Sequence, residues 1–208
     1  MQPLPYSAAC ERNREPIRQV LQGWLPQGAR VLEVGSGSGQ HAVFFCQQLA
    51  GLQWQPSERP GQLSGLAARI ALEGEQGLAA GAALAKPLSL DVDLAEEWPQ
   101  SRFDAVFSAN TAHIMAAASV PRLLAGAAGV LELGGLLLLY GPFAEAGTPL
   151  EPSNAAFDEH LRCLDPTMGL RDAAEIREQA SGLGLEAIAD VAMPAQNRTL
   201  IFRRQSES

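Results

Sequence analysis

The chemistry of this chain is first legible in residues 30–41, RVLEVGSGSGQH, where Glu33 stands two residues before the alternating glycines Gly35, Gly37 and Gly39. Glycine accepts positive φ and lets a ligand approach the backbone without meeting a Cβ. A loop of this composition therefore suits a nucleotide-like ligand, and Glu33, Gly35, Ser36, Gly37, Gly39 and His41 are the residues that could touch it. A dinucleotide fingerprint, G-x-G-x-x-G, needs its third glycine at position 40. That position is Gln40, which disfavours an NAD-linked oxidoreductase. A plain glycine turn is the alternative reading.

Further along the chain, Glu58 lies about 20 residues past the loop, where doubly wound folds place an acid on ribose hydroxyls. A solvated loop glutamate is the bland alternative. Asp91 and Val92 close the stretch PLSLDV and could form an adenine-binding corner, or Asp91 could cap the following helix. Asn110 and His113 follow the apolar run FDAVF, and Tyr140 ends another, LLLLY. Histidine titrates near neutrality, so His113 could take a proton from an acceptor, or it could simply pack against a helix start. Near the N-terminus, ACERNREPI concentrates Glu11, Arg12, Asn13 and Glu15, of which Arg12 could bind a carboxylate bidentately.

These groups converge only if the intervening elements carry them to one edge of a sheet. Val31, Leu32 and Val34 read as a buried strand, and Ala42, Val43, Phe44 and Phe45 as a helix whose N-terminus faces the ligand. Strands follow at 52–55, 87–92, 103–107 and 136–140, with one helix plus a loose connection over 63–84, a helix at 120–131, and a terminal hairpin at 185–192 and 199–202. The expected fold class is α/β: a Rossmann-like, seven-stranded, mostly parallel sheet with a terminal antiparallel hairpin and helices on both faces. Asn110 and His113 then lie at the switch point, where ligands bind outside the strand carboxyl ends. A polar arm with a short helix carrying Ile17, Val20, Leu21 and Trp24 is expected over 1–25. A helix from about Ser153 is expected within a substrate-side insertion at 144–172.

The 208 residues fit a single domain, 1–208. A formal charge of −8 opposes general affinity for phosphate backbones, so no nucleic-acid partner is expected. Three scattered cysteines, Cys10, Cys46 and Cys163, suggest reduced thiols with no zinc framework or metal site. No apolar run approaches the roughly 20 residues that span a bilayer, so neither membrane nor leader is expected and a cytoplasmic location is. Oligomeric state is not legible.

The motif EVGSGSG resembles the first motif of class I S-adenosylmethionine-dependent methyltransferases. The wider set ACERNREPI, LEVGSGSGQHAVFF, WQPSE, FDAVFSANTAHIM, LYGPF, SNAAFD, DPTMGLRD and MPAQNRTLIF is similar to the methyltransferase-like 26 family, with Glu58 where that family is expected to carry aspartate. The resemblance implies S-adenosylmethionine as cofactor and EC 2.1.1-type methyl transfer. It assigns Arg12, Asn13, Glu33, Gly35, Ser36, Gly37, Gly39, His41, Glu58, Asp91, Val92 and Asn110 to the cofactor. His113, Asn110 and Tyr140 are the catalytic candidates, with Glu11, Tyr140, Asn154, Phe157 and Asp158 on the acceptor. Asn110-Thr111-Ala112-His113 replaces the [DNS]-P-P-[YF] block of amino-methylating nucleic-acid enzymes, and no Pro-Cys nucleophile is present. The expected acceptor is a small molecule, with a non-catalytic cofactor binder as the alternative.

Overall fold

Alternation along the strands decides which of two layers each side chain feeds. In a computed structural model, which describes residues 3–205, the chain runs α1 (Ala8–Trp24), β1 (Arg30–Val34), α2 (Gln40–Gln48), β2 (Gln53–Glu58), α3 (Leu63–Glu73), β3 (Ala83–Leu84) and β4 (Leu88–Ser89). It continues with β5 (Phe103–Ala109), α4 (Val120–Val130), β6 (Leu131–Gly141), β7 (Phe143–Ala144), α5 (Pro152–Leu164), β8 (Arg171–Asp172), α6 (Ala173–Ser181), β9 (Leu185–Met193) and β10 (Asn197–Arg204).

The main sheet has the order β3-β2-β1-β5-β6-β10-β9, with β4 also pairing β2. Strands β3 and β4 pair with opposite ends of β2, Ala83 opposite Gln53 and Leu88 opposite Ser57. They share one edge position, so the sheet has seven positions. The strand expected over 87–92 is cut to the dipeptide Leu88–Ser89, and a second dipeptide, Ala83–Leu84, pairs with β2 at the end of the stretch expected as a loose connection; Pro87 lies between them and offers no amide to a ladder. Neighbours from β2 through β6 are parallel, and β10 runs antiparallel between β6 and β9.

Leu32, Val34, Val106, Leu137, Leu139, Leu200 and Phe202 point into one core with Leu123 and Leu124 of α4 and Ile176 of α6. Their neighbours Val31, Trp54, Phe107, Leu138, Tyr140 and Ile201 point into the other, against Ile17 and Leu21 of α1 and Phe45 of α2. Phe45, Trp54 and Phe107 stack edge-on with centroids 5.4–5.9 Å apart, each pair adding about 0.5–1.5 kcal/mol beyond area burial. Among the described residues, no helix is long and apolar enough to cross a membrane.

The first helix differs from expectation. ACERNREPI is not an arm before a helix but the first two turns of α1, because Ser7 caps it by accepting the Cys10 amide at 3.3 Å. Pro16 falls inside this helix and has no N–H for the Arg12 carbonyl. The other end of the chain follows expectation. Asp172 caps α6 by accepting the Ala174 and Glu175 amides, and β9 and β10 close as a hairpin.

Candidate functional site

At the carboxyl ends of β1, β2, β4, β5 and β6 lies a cavity of about 870 Å³, toward the upper end of the ~300–1,000 Å³ typical of small-molecule sites. The glycine loop forms its floor. Gly35, Gly37 and Gly39 all have positive φ, +76°, +53° and +75°. The Gly35 and Ser36 amides donate to the Ser57 carbonyl at 3.1 and 2.9 Å, and the Gly37 amide donates to Glu58 Oε2 at 2.8 Å. The loop amides are therefore already bonded to β2, and the loop is held in shape before any ligand arrives. The three glycines have different jobs. A Cβ on Gly35 would strike Thr111 at 2.4 Å and one on Gly39 would meet Leu66 at 2.8 Å, whereas one on Gly37 would enter open space.

Glu58 and Asp91 line the same cavity, together with Val92, Ser36, His41, Arg12, Asn13, Asn110, His113, Tyr140, Asn154 and Phe157. Glu58 Oε1 accepts the Arg59 amide at 2.9 Å, so two backbone donors aim a carboxylate whose remaining lone pairs stay available. Among the described residues Arg12 makes no hydrogen bond or ion pair, leaving an uncommitted cation on the α1 side. Asn110 has φ +58° and donates its amide to the Tyr140 carbonyl at 2.8 Å. Such a conformation in a non-glycine residue is tolerated best by Asn and concentrates at working sites.

Four expected contact residues stand back from the cavity. Glu33 is 1% exposed because it shares a strand face with Val31 and runs into the α1/α2 layer. There its Oε2 accepts Trp54 Nε1 at 2.9 Å and Ser36 Oγ at 2.7 Å. Burial pushes its carboxyl up to about 7, against the two hydrogen bonds and reinforced by nearby Glu58. Gly39 is the left-handed residue that starts α2 and packs on α3. Glu11 turns away to accept Gln40 Nε2 at 2.5 Å and to pair with Arg14 at 2.7 Å. Asp158 accepts the Leu170 amide at 2.7 Å and Arg162 Nε at 2.8 Å, tying α5 to the following loop.

Gln40 explains the missing third glycine. Its Oε1 accepts the Ser7 amide at 2.6 Å and Ser38 Oγ at 2.8 Å while its amide nitrogen holds Glu11, so it fastens the start of α1 over the loop. Arg69 reinforces this, donating to the Ser38 and Pro5 carbonyls at 2.6 and 2.8 Å. The fastening puts Cys10, Arg12 and Asn13 on the cavity wall.

The two histidines of the site are uncharged at neutral pH. Burial lowers both His41 and His113 to about 4, helped by Arg14 and Arg171 respectively. His41 Nε2 lies 2.8 Å from Asn13 Oδ1, to which it donates in the Nε2-protonated tautomer, and its ring stacks on Phe45. His113 meets Phe157 edge-on at 5.3 Å, and neither of its ring nitrogens bonds a described residue. The expectation of a histidine titrating near neutrality is corrected by this burial. Imidazole proton NMR should show no titration of His41 or His113 between pH 8 and 5.5. A midpoint between 6 and 7 for either would contradict this placement.

Sequence reasoning missed Cys10, Arg59, Gln62, Thr111, Met168 and Asn197, all of which line the cavity. Arg59 and Gln62 had a signal, since they follow Glu58 off a strand end. Met168 and Asn197 belong to DPTMG and MPAQN, whose approach to the cavity depends on how α5 and the hairpin pack. Replacing Glu58 by Ala should weaken binding of an adenosine-containing cofactor about ten- to a hundredfold, as expected for losing one charged hydrogen-bonding partner. Unchanged affinity by titration calorimetry would overturn the expectation that Glu58 meets a ribose.

Solved structures with this architecture include an O-methyltransferase family protein from Burkholderia thailandensis, 19% identical with a TM-score of 0.78 over 96% of this chain and 58% of that one. The pyocyanin biosynthetic protein PhzM is 17% identical, with a TM-score of 0.75 over 94% and 56%. A methyltransferase of calicheamicin biosynthesis in its SAH-bound form is 18% identical, with a TM-score of 0.72 over 93% and 54%. At these identities the likeness establishes the shared fold, and the chain spans little more than half the length of each. A family model described as a protein of unknown function, DUF938, matches residues 4–204, and the chain belongs to that family.

Proposed function

We propose that this protein transfers a methyl group from S-adenosylmethionine to a small-molecule acceptor. The observation that carries the reading is the cradle at Gly37, a positive-φ glycine whose missing side chain leaves open space under the cavity while Glu58 and Asp91 line it. The fold shared with O-methyltransferases and the resemblance to the methyltransferase-like 26 family support it. The residues present fit the cofactor. Gly35, Ser36 and Gly37 would floor the site, Arg12 and Asn13 hold the amino-acid carboxylate, Glu58 take the ribose hydroxyls, and Asp91 and Val92 border the adenine. His41 and Asn110 would flank the middle.

When bound, the cofactor supplies an activated methyl group on a sulfonium that leaves as a neutral thioether. The chain's own task is to position the acceptor in line and exclude water, which can provide most of the acceleration for such a displacement. Asn110 and Tyr140, from adjacent strand ends, and His113 would orient the acceptor. Because His113 is neutral and, among the described residues, bonds no carboxylate, it serves better as a hydrogen-bond acceptor for the nucleophile than as a strong base. Residues 144–172 would form the acceptor side, and the acidic chain favours a small molecule over nucleic acid.

Titration calorimetry with S-adenosylmethionine, S-adenosylhomocysteine and NAD tests the reading. Binding of the first two and not the third is expected. Binding of NAD alone would overturn it, and the use of Gln40 as the α1 fastener argues against that outcome.

A further inference from the structure

One wall of the cavity is assembled from four separated segments that bond to one another. The turn after β5 carries His113 and Ile114, α5 carries Asn154 and Phe157, the loop after α5 carries Asp165 and Met168, and the β9–β10 turn carries Pro194 and Asn197. Arg171 clamps the first and third segments by donating to the Ala112, Met115 and Thr167 carbonyls at 2.8–3.0 Å, and the Gly169 amide donates to the His113 carbonyl at 3.0 Å. Asn154 donates to the Gln196 carbonyl at 3.4 Å, joining α5 to the hairpin turn.

The polar groups left over on this wall are mostly acceptors. Asn154 and Asn197 both use their amide nitrogens on backbone carbonyls of residues 194–196. A carbonyl can only accept, so the side-chain oxygens of both are the free ends, and they accept nothing from a described residue. His113 is neutral and, with neither ring nitrogen bonded to a described residue, offers one lone pair and one N–H. Asp165 Oδ1 takes the Thr167 amide and hydroxyl at 2.8 and 2.7 Å, leaving Oδ2. Apart from the His113 N–H the wall presents acceptors and one negative charge: Arg171 is turned onto three backbone carbonyls, and the cations that line the cavity, Arg12 and Arg59, come from α1 and from the loop after β2. Between the acceptors stand Phe157, Ile114, Met168 and Pro194, a soft apolar surface with an aromatic ring suited to a flat partner.

We propose that the acceptor molecule is an uncharged aromatic compound carrying a hydroxyl, whose ring packs on Phe157 and whose O–H donates to the acceptors beside His113. A carboxylate brought here would face acceptors and Asp165 while Arg171 is held on backbone carbonyls, and an ammonium would give up its hydration for a single carboxylate at the edge of the wall, so either charge costs more to bury than a hydroxyl. This deepens the methyl-transfer reading and rests on it for the fate of the hydroxyl. In that reaction the oxygen forms the new C–O bond, the sulfonium's S–CH₃ bond breaks with its electron pair going to sulfur, and the hydroxyl proton leaves to solvent.

The test is titration of the full chain, with and without saturating S-adenosylhomocysteine, using 2-naphthol, 2-naphthoate and 2-naphthylmethylammonium as matched probes at pH 7. 2-Naphthol should bind at least tenfold more tightly than either charged probe. Phe157→Ala should weaken it about tenfold while Phe157→Leu weakens it less, and S-adenosylhomocysteine affinity and melting temperature should stay unchanged in both. Equal or tighter binding of a charged probe, no binding of 2-naphthol, or indifference to Phe157→Ala would overturn the proposal. If 2-naphthol binds in this way but S-adenosylhomocysteine does not, the acceptor surface stands and the methyl-transfer reading falls. The reverse pattern overturns the acceptor proposal alone.

Discussion

Gly37→Val is expected to abolish S-adenosylmethionine binding, by more than a hundredfold, while the protein still folds. Two effects combine. At φ +53° a β-branched residue is strained, costing about 1–2 kcal/mol, and its methyl groups would occupy the open space that makes the loop a cradle. The strain alone should lower the melting temperature by roughly 2–8 °C in a chain of this size, so the fold survives and only the ligand is lost. Gly39→Ala is the contrasting control. Its Cβ would meet Leu66 at 2.8 Å and Arg69 at 3.2 Å, away from the cavity, so its damage should appear in stability, about 1–3 kcal/mol of overpacking. Calorimetric affinity beside thermal melts separates the two. A Gly37→Val protein that bound the cofactor normally would remove the main support for the proposed function.

The second large effect is expected at Glu33. Its carboxyl is pushed up from an ordinary 4.5 to about 7 by burial. Between pH 4.5 and 7 the unfolded chain has released this proton while the folded chain still holds it. Stability contributed by the group is therefore full below 4.5 and is lost as pH rises through 7. The difference corresponds to about 3 kcal/mol. Glu33→Gln keeps an oxygen for Trp54 Nε1 and Ser36 Oγ and never ionises, so it should be more stable than the parent by about 3 kcal/mol at pH 8 and nearly equal to it at pH 4.5. His41 and His113 act in the opposite sense. Their folded values near 4 lie below the ordinary 6.5, so both proteins should lose stability as pH falls from 6.5 toward 4. Denaturant melts at pH 8, 6 and 4.5 read the difference directly. A Glu33→Gln protein destabilised equally at every pH would show that the buried charge is already compensated. An acid retained beneath the ligand loop at this cost is a feature of a working site more than of a core, and the variant's cofactor affinity at pH 8 measures what the charge contributes there.

The longer strands and helices were written plainly in the chain, because strand and helix periods and glycine turns are local properties. Val31 to Val34 could only be a buried strand, the glycines after it could only be a loop, and Asp172 capped its helix as its position implied. Glu58, Asp91, Asn110 and His113 were found from the same local rules, since the end of a parallel strand points at the ligand crevice whatever the rest of the fold does.

Other features depended on contacts between distant segments. That ACERNREPI is helix rather than arm follows from Ser7, but its seat over the loop follows from Gln40 and Arg69, which lie 33 and 64 residues from their partners Ser7 and Pro5. The direction taken by Glu33 depended on which layer its strand face met, and that is set by Trp54 on the neighbouring strand. The residue types at 113 announced a titratable imidazole, yet its protonation is decided by the low dielectric around it and by Arg171, neither visible in a one-dimensional reading. Met168 and Asn197 join the cavity only because α5 and the terminal hairpin fold back over the strand ends. Sequence alone determined the elements and the chemical types at their tips, since those follow from backbone preference and period. Tertiary packing decided which of those groups face the ligand and which hold the scaffold, because burial and hydrogen-bond partners come from segments that only the folded chain brings together.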